Sequence, residues 1–123
     1  MAAEVVLSGS LEFDNGTIAD ALSKAGLRLD SSGTQYIKNV QSVGTSEEAI
    51  ILGEVTAPGH YMAINLDNTN FVTLHQATGA NSFAELEAKG GFAIFKWSVA
   101  STAPFIKADT AACKVAYLLL NRS

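Results

Sequence analysis

One aspartate and two asparagines fall within the four residues Asp67, Asn68, Thr69 and Asn70, and Asn65 stands just before them. Oxygen-rich loops of this kind hold calcium when several carboxylates help to supply six to eight oxygen ligands. Here Asp67 is the only carboxylate between Glu54 and Glu85, and the calcium-loop spacing with its distal glutamate is missing. Asx side chains also accept hydrogen bonds from nearby backbone N–H groups and tolerate left-handed φ. The expectation is therefore a structural turn motif made by Asn65, Asp67, Asn68, Thr69 and Asn70. It would reverse a β-hairpin between "HYMAINL" and "NFVTLHQ" and bind no metal.

The other reactive residues fall short of recognised constellations. A turn at 67–70 sets His60 opposite Ala77 and His75 opposite Met62, which leaves two histidines near one end of the hairpin. Zinc needs three or four ligands, and no cysteine or carboxylate joins them. There is no G-x-S-x-G nucleophile turn. In "GTSEEA", Glu47 and Glu48 read as turn-capping residues. Glu85 and Glu87 share a strand face, but no aromatic-lined pocket accompanies either acid pair, as glycoside hydrolysis would require. Tyr61 and Trp97 could stack a sugar. In "GFAIFKWSV", however, Phe95 and Trp97 share a face with Ala93 and Val99, which reads as core. No phosphate-binding glycine loop is present, because "GTSEEA" lacks the lysine and "KGG" is a turn. Cys113 is the single cysteine, so no internal disulfide forms, and "AACKVAYLLL" reads as a buried strand around it. Catalytic, cofactor-binding and metal-ligating residues are thus all expected to be none.

The 123 positions make about one domain, and a single β domain over 1–123 is expected. Charged residues are 16% of the chain, below the usual ~25%. Such a surface, rich in uncharged polar groups, suits packing against other proteins. The net charge of −4, with lysines and arginines scattered, opposes a phosphate backbone and excludes nucleic acid as the expected partner. "MAAEVVLSGS" lacks the basic and apolar regions of a signal peptide, and no apolar run is long enough to cross a membrane as a helix.

Period-two alternation dominates the elements. Val5, Leu7, Leu11 and Phe13 fall on one face of the first strand, Glu4, Ser8, Ser10 and Glu12 on the other, and Asn15–Gly16 marks a turn. Residues 17–30 are ambiguous. Thr17 with Asp20 resembles a capping box, Gly26 a helix stop, and Ile18, Ala21, Leu22 and Ala25 a helical stripe. Leu27 and Leu29 alternate with Arg28 and Asp30, and the stretch reads as mostly strand. "TQYIKNVQSV" is half-buried through Tyr36, Ile37, Val40 and Val43. "SEEAIILGEV" is a short strand ending at Gly53, and Pro58–Gly59 is a turn. "FAELEA", a tight turn at Lys89–Gly90–Gly91, "FAIFKWSV", "PFIKA" and "CKVAYLLL" complete the series. Eight to ten short strands with frequent turn signals predict an all-β fold, a jelly-roll-like β-sandwich or barrel.

The segment "VGTSEEAIILGEVTAPGHYMAINLDNTNFVTL" resembles a recurrent stretch of small virion proteins of tailed bacteriophages. There a G-T-S/T-E-E element precedes a short strand. A P-G turn follows, then an N-L-D-x-T-N-(F/Y)-V element, and later A-P and A-D-T-A-A before an apolar last strand. Here these are Gly44–Glu48, Pro58–Gly59, Asn65–Val72, Ala103–Pro104 and Ala108–Ala112, across roughly residues 34–120. The resemblance implies a non-enzymatic structural protein of the virion, a capsid decoration (cement) or head–tail component, assembled in the bacterial host cytoplasm. Its implied partners are the major capsid protein or other virion proteins. Sparse surface charge and unpaired strand edges add self-association, as a homotrimer. A carbohydrate-binding β module for host adhesion is the alternative. For the tetrad, the expected outcome is a melting temperature that is the same in calcium and in chelator. A rise in micromolar calcium that Asp67→Ala abolishes would make the tetrad a metal site.

Overall fold

The computed structural model describes residues 4–14, 16–17, 19–30 and 35–122. Met1–Ala3, Asn15, Ile18 and Thr34 lie outside the described residues, as do the side chains of Glu4, Phe13 and Asp30. The chain divides into two compact units, Met1–Ser32 and Gly33–Ser123. The all-β expectation is met: the described residues form ten strands in antiparallel sheets and no helix.

The first unit is a two-stranded ribbon of β1 (Glu4–Asp14) and β2 (Ala19–Asp30). Within the stretch that resisted a period-two reading, Ala19–Asp30 is strand, and a bulge interrupts its alternation. Leu7 pairs with Leu27, but the next pair is Gly9 with Lys24, so β2 spends one extra residue there. Gly26 takes φ 66°, which suits glycine, and its N–H donates to Ser8 Oγ at 3.0 Å. The extra residue re-phases β2. Directly paired residues share a face, so Leu22, paired with Leu11, joins Leu27 and Leu29 beside Leu7 and Val5. The register also sets Lys24, paired with Gly9, on this same face between Leu22 and Leu27, and Ala21 of the helical stripe on the other.

The second unit is an eight-stranded sandwich: β3 (Tyr36–Val43), β4 (Glu48–Ala49), β5 (Pro58–Asn65), β6 (Val72–His75), β7 (Ser82–Leu86), β8 (Phe92–Lys96), β9 (Phe105–Ala108) and β10 (Cys113–Asn121). One sheet runs β3-β10-β5-β8 and the other β4-β9-β6-β7. The pairs β3–β10, β4–β9, β5–β8 and β6–β7 are the rungs of one long antiparallel ribbon. Rolling that ribbon up adds the pairs β5–β10 and β6–β9. Alternation then puts Val43, Ala63, Val115 and Leu119 of one sheet against Val72, Leu74, Leu86 and Ile106 of the other, all buried.

Several local expectations are corrected by this topology. "HYMAINL" and "NFVTLHQ" do not pair across the tetrad, because β5 lies in one sheet and β6 in the other. His60 and His75 therefore do not share a hairpin end. Pro58–Gly59 is the buried start of β5. Proline suits a first strand residue, and a Cβ on Gly59 would stand 2.9 Å from the Leu120 carbonyl oxygen. The strand in "SEEAIILGEV" is only Glu48–Ala49. In β3 the inward residues are Ile37, Asn39, Gln41 and Val43, while Tyr36 and Val40 are exposed. Val99 lies beyond β8 and is exposed, so it does not share the Phe95 and Trp97 face.

An aromatic cluster fills one part of the core. Tyr61 lies 5.5 Å from Phe95, 5.3 Å from Trp97 and 5.8 Å from Tyr117 between ring centroids, and Phe83 meets Phe95 and Trp97 edge-on. The two tyrosines differ in how their hydroxyls are satisfied. Tyr117 donates to the Ile51 carbonyl at 2.6 Å and accepts from Asn39 Nδ2 at 3.3 Å. Tyr61 Oη, like Trp97 Nε1, is buried without a protein partner, and burial pushes the Tyr61 phenol far above its usual pKa. Removing an unmatched buried hydroxyl is nearly neutral, whereas orphaning a buried carbonyl costs ~1–3 kcal/mol. Tyr61→Phe is thus expected to change stability by less than about 1 kcal/mol or to raise it. Tyr117→Phe should lower it by about 1–3 kcal/mol, as read by urea denaturation.

Candidate functional site

The connection that carries the chain from β5 to β6 is held by Asn65, whose side chain is fully buried. Its Nδ2 donates to the Asn70 carbonyl at 2.9 Å and the Leu86 carbonyl at 3.1 Å, and its Oδ1 accepts from the Asp67 N–H at 3.0 Å. The Asn65 backbone adds two bonds to the neighbouring turn: its N–H donates to the Gly91 carbonyl and its carbonyl accepts from Gly90. That turn tolerates no bulk, since Lys89 and Gly90 take positive φ and a Cβ on Gly91 would collide with the Glu87 backbone. Asn65 therefore joins the end of β5, the 66–71 connection and the 87–91 turn.

Asp67 closes the connection locally. Its Oδ2 accepts from the Asn70 N–H at 2.7 Å and the Thr69 N–H at 3.0 Å. These two bonds hold its carboxyl below the usual aspartate range. Asn70 Oδ1 accepts from Thr110 Oγ1 at 2.7 Å, which ties the turn to the segment before β10. Asn68 is exposed. Cys113 sits beneath, with Sγ 3.7 Å from the Asn70 carbonyl. Burial and the nearby charges of Asp67 and Asp109 push its thiol up, away from a reactive thiolate. The five predicted motif residues are thus brought together around one backbone reversal between sheets.

Elsewhere the predicted residues are dispersed. His75 Nδ1 lies 2.9 Å from the Ala80 carbonyl and 3.7 Å from Glu47, and Nε2 lies 2.9 Å from Thr73 Oγ1. A hydroxyl–imidazole–carboxylate series is the nearest approach to a nucleophile site that sequence reasoning missed. The carbonyl, not the carboxylate, is the close partner of Nδ1. Glu47 is itself held by the Gly79 N–H at 3.2 Å. The arrangement pins the β6–β7 loop. Glu48 caps as expected, accepting from the Gly44 N–H. Tyr61 and Trp97 are each 2% exposed, so neither offers a ring to a sugar. Among the described residues no three His, Cys, Asp or Glu side chains gather as a metal site.

No family model matches the chain, and no curated protein or solved structure matches it.

One further feature is a surface. The outer face of the β3-β10-β5-β8 sheet aligns Lys38, Leu118, Met62 and Ile94 in one cross-strand row and Val40, Ala116, Ile64 and Phe92 in the next. Val40 is 53% and Phe92 57% exposed. The opposite sheet turns Thr73, Glu85 and Lys107 outward instead. The signal was in the sequence: "VAYLLL" and "FAIF" are continuous apolar runs, which mark strands with both faces apolar.

Asn65 carries the sharpest expectation. Asn65→Ala leaves two carbonyls and one N–H without their partner and should cost roughly 3 kcal/mol or more. Asn65→Asp should do no better, because it keeps the shape but loses both donors. Asn68→Ala, on the exposed side of the same turn, should fall within about 0.5 kcal/mol of wild type. Equal losses for Asn65→Ala and Asn68→Ala in chemical denaturation would show that the buried amide does not hold the connection.

Proposed function

We propose that this protein is a non-enzymatic structural component of a tailed-phage virion, of the capsid-decoration (cement) kind, and that its rolled eight-strand sandwich is a jelly roll. The observation that carries the reading is the apolar outer face of the β3-β10-β5-β8 sheet. Large exposed apolar patches on a folded domain mark protein–protein contact, and a protein whose task is to hold others together needs such a face more than a pocket. The motif resemblance over residues 34–120 points the same way. The strand pairs β3–β10, β4–β9, β5–β8 and β6–β7 give the order expected of a ribbon rolled into a jelly roll. Its partners in this reading are further copies of itself, as a homotrimer, and the major capsid protein. Burial of Tyr61 and Trp97 leaves the sugar-binding alternative without its stacking residues.

A mass-spectrometric census of purified particles tests the reading. A copy number comparable to that of the major capsid protein is expected. A few copies per particle would move the protein to the neck or tail, and absence from particles would overturn the virion assignment.

A further inference from the structure

The sandwich has four edge strands, β3 and β8 in one sheet and β4 and β7 in the other. The free backbone groups of an edge invite a further strand unless the edge is short, bulged or covered. Three of the four are blunted in these ways. β4 is two residues long. β7 is bulged at Phe83, since Leu74 pairs with Ala84 and His75 with Ser82. Beside β3, the Gln41 amide holds Ala49 and Ile51, and a Cβ on Gly53 would meet Ile37 at 3.0 Å, so residues 49–53 line that strand. β8 has neither bulge nor proline, and it pairs with β5 in unbroken register.

The register also shows which backbone groups of β8 are free. The Trp97 N–H donates to the Gly59 carbonyl, and the Gly91 carbonyl accepts from Asn65. Alternate residues of an antiparallel strand bond to a given neighbour. Ala93 and Phe95 therefore bond to β5, while Phe92, Ile94 and Lys96 turn their N–H and C=O groups to the open edge. Exposed aromatic rings flank that edge on both sides. Phe92 is 57% exposed on the outer face. Phe83 lies edge-on to Phe95 on the inner side, 5.7 Å between centroids, and is still 54% exposed.

We propose that the β8 edge takes an extended strand of a partner protein, antiparallel to β8 and patterned carboxylate–x–apolar–x–apolar, with the carboxylate opposite Lys96 and the apolar residues opposite Ile94 and Phe92. This deepens the partner contact of the reading above and rests on that reading only for the partner's being a protein. Main-chain bonds supply affinity in strand addition, and alternate side chains supply specificity. The two apolar positions prolong the rows that already cross the sheet through Met62 to Ile94 and through Ile64 to Phe92.

Charge selects the partner. Between Glu87 and Asp109 the sequence has no carboxylate. The Lys96 end of β8 also holds Arg122, which donates to the Trp97 carbonyl, and His60, which pairs with Lys96. Burial, then Lys96 and Arg122, lower the His60 pKa. A second β8 brings another lysine and no acid, so two copies joined edge to edge leave both lysines unmatched. A carboxylate directly opposite Lys96 makes a favourable cross-strand pair instead.

Selection from a displayed peptide library on the immobilised full chain tests the proposal, with the stretch that would face Phe92–Lys96 randomised. Enriched peptides should share the carboxylate–x–apolar–x–apolar pattern. Bound peptide should slow hydrogen exchange at the Phe92, Ile94 and Lys96 amides. N-methylation of the peptide residue opposite Ile94 should abolish binding, and N-methylation of the next residue should not, because only alternate N–H groups face β8. Lys96→Glu should weaken binding up to about fivefold, the most that one cross-strand charge pair contributes. Ile94→Pro should keep the thermal transition and lose the peptide, since proline there removes no bond to β5; if it unfolds the chain, the two N-methylated peptides decide. A selection that enriches nothing overturns the proposal, as do enriched peptides without a carboxylate. Binding that survives N-methylation opposite Ile94 overturns it as well. Exchange at the three amides that slows with protein concentration alone would give the edge to a second copy and overturn it too. The particle census is independent: a protein that selects the patterned peptides but is absent from particles would sink the virion reading and leave the strand contact standing. High copy on particles with no peptide enriched would do the opposite.

Discussion

Each time the chain leaves one sheet of the sandwich for the other, backbone N–H and C=O groups lose their ladder partners, and buried groups of this kind cannot be left unpaired. Side-chain amides near the crossings supply the missing bonds. Asn65 serves the passage from β5 to β6 and, through Leu86, the one from β7 to β8. Gln41 serves the chain where it leaves β4: its Nε2 donates to the Ala49 carbonyl and its Oε1 accepts from the Ile51 N–H. Asn121 Oδ1 accepts from Thr56 and Ala57 just before β5. An amide is suited to this role because it carries a donor and an acceptor and no charge to desolvate. A carboxylate would satisfy only the N–H half of each crossing.

The same constraint separates what was legible in the sequence from what was not. The strands were legible, since Ile37, Tyr61, Val72 and Val115 mark inward positions by period two. Their pairing was not. The residues on either side of Asp67–Asn70 looked like hairpin arms because each is short and alternating, and Asx residues reverse chains in either topology. What moves β5 away from β6 is β10, whose Val115–Leu119 run pairs with Asn65–Tyr61 from some fifty positions away. No local pattern reports that competition. Asn65 was singled out with its turn, but its bond to Leu86 depends on the sheet order. In the ribbon, the bulge beside Gly26 re-phases β2, so that Leu22 falls on the face of Leu27 and Leu29, which period two alone does not report. The exposed side of the sandwich was written as "VAYLLL" and "FAIF", whose unbroken apolar character was read only as core.

The position of β10 shapes the proposed function further. It is the last strand in sequence and lies between β3 and β5, with Leu118 and Ala116 at the middle of the exposed rows. Neither apolar row is continuous until β10 is in place. A chain with β3, β5 and β8 formed but β10 absent would present separated edges rather than a face that a partner could cover. Contacts of this sequence separation are slow to form, because loop closure must precede the favourable pairing. Under the proposed function, the contact face appears only on completion of the sandwich. Assembly would then select finished copies, since an incomplete sandwich lacks the rows on which a partner must lie.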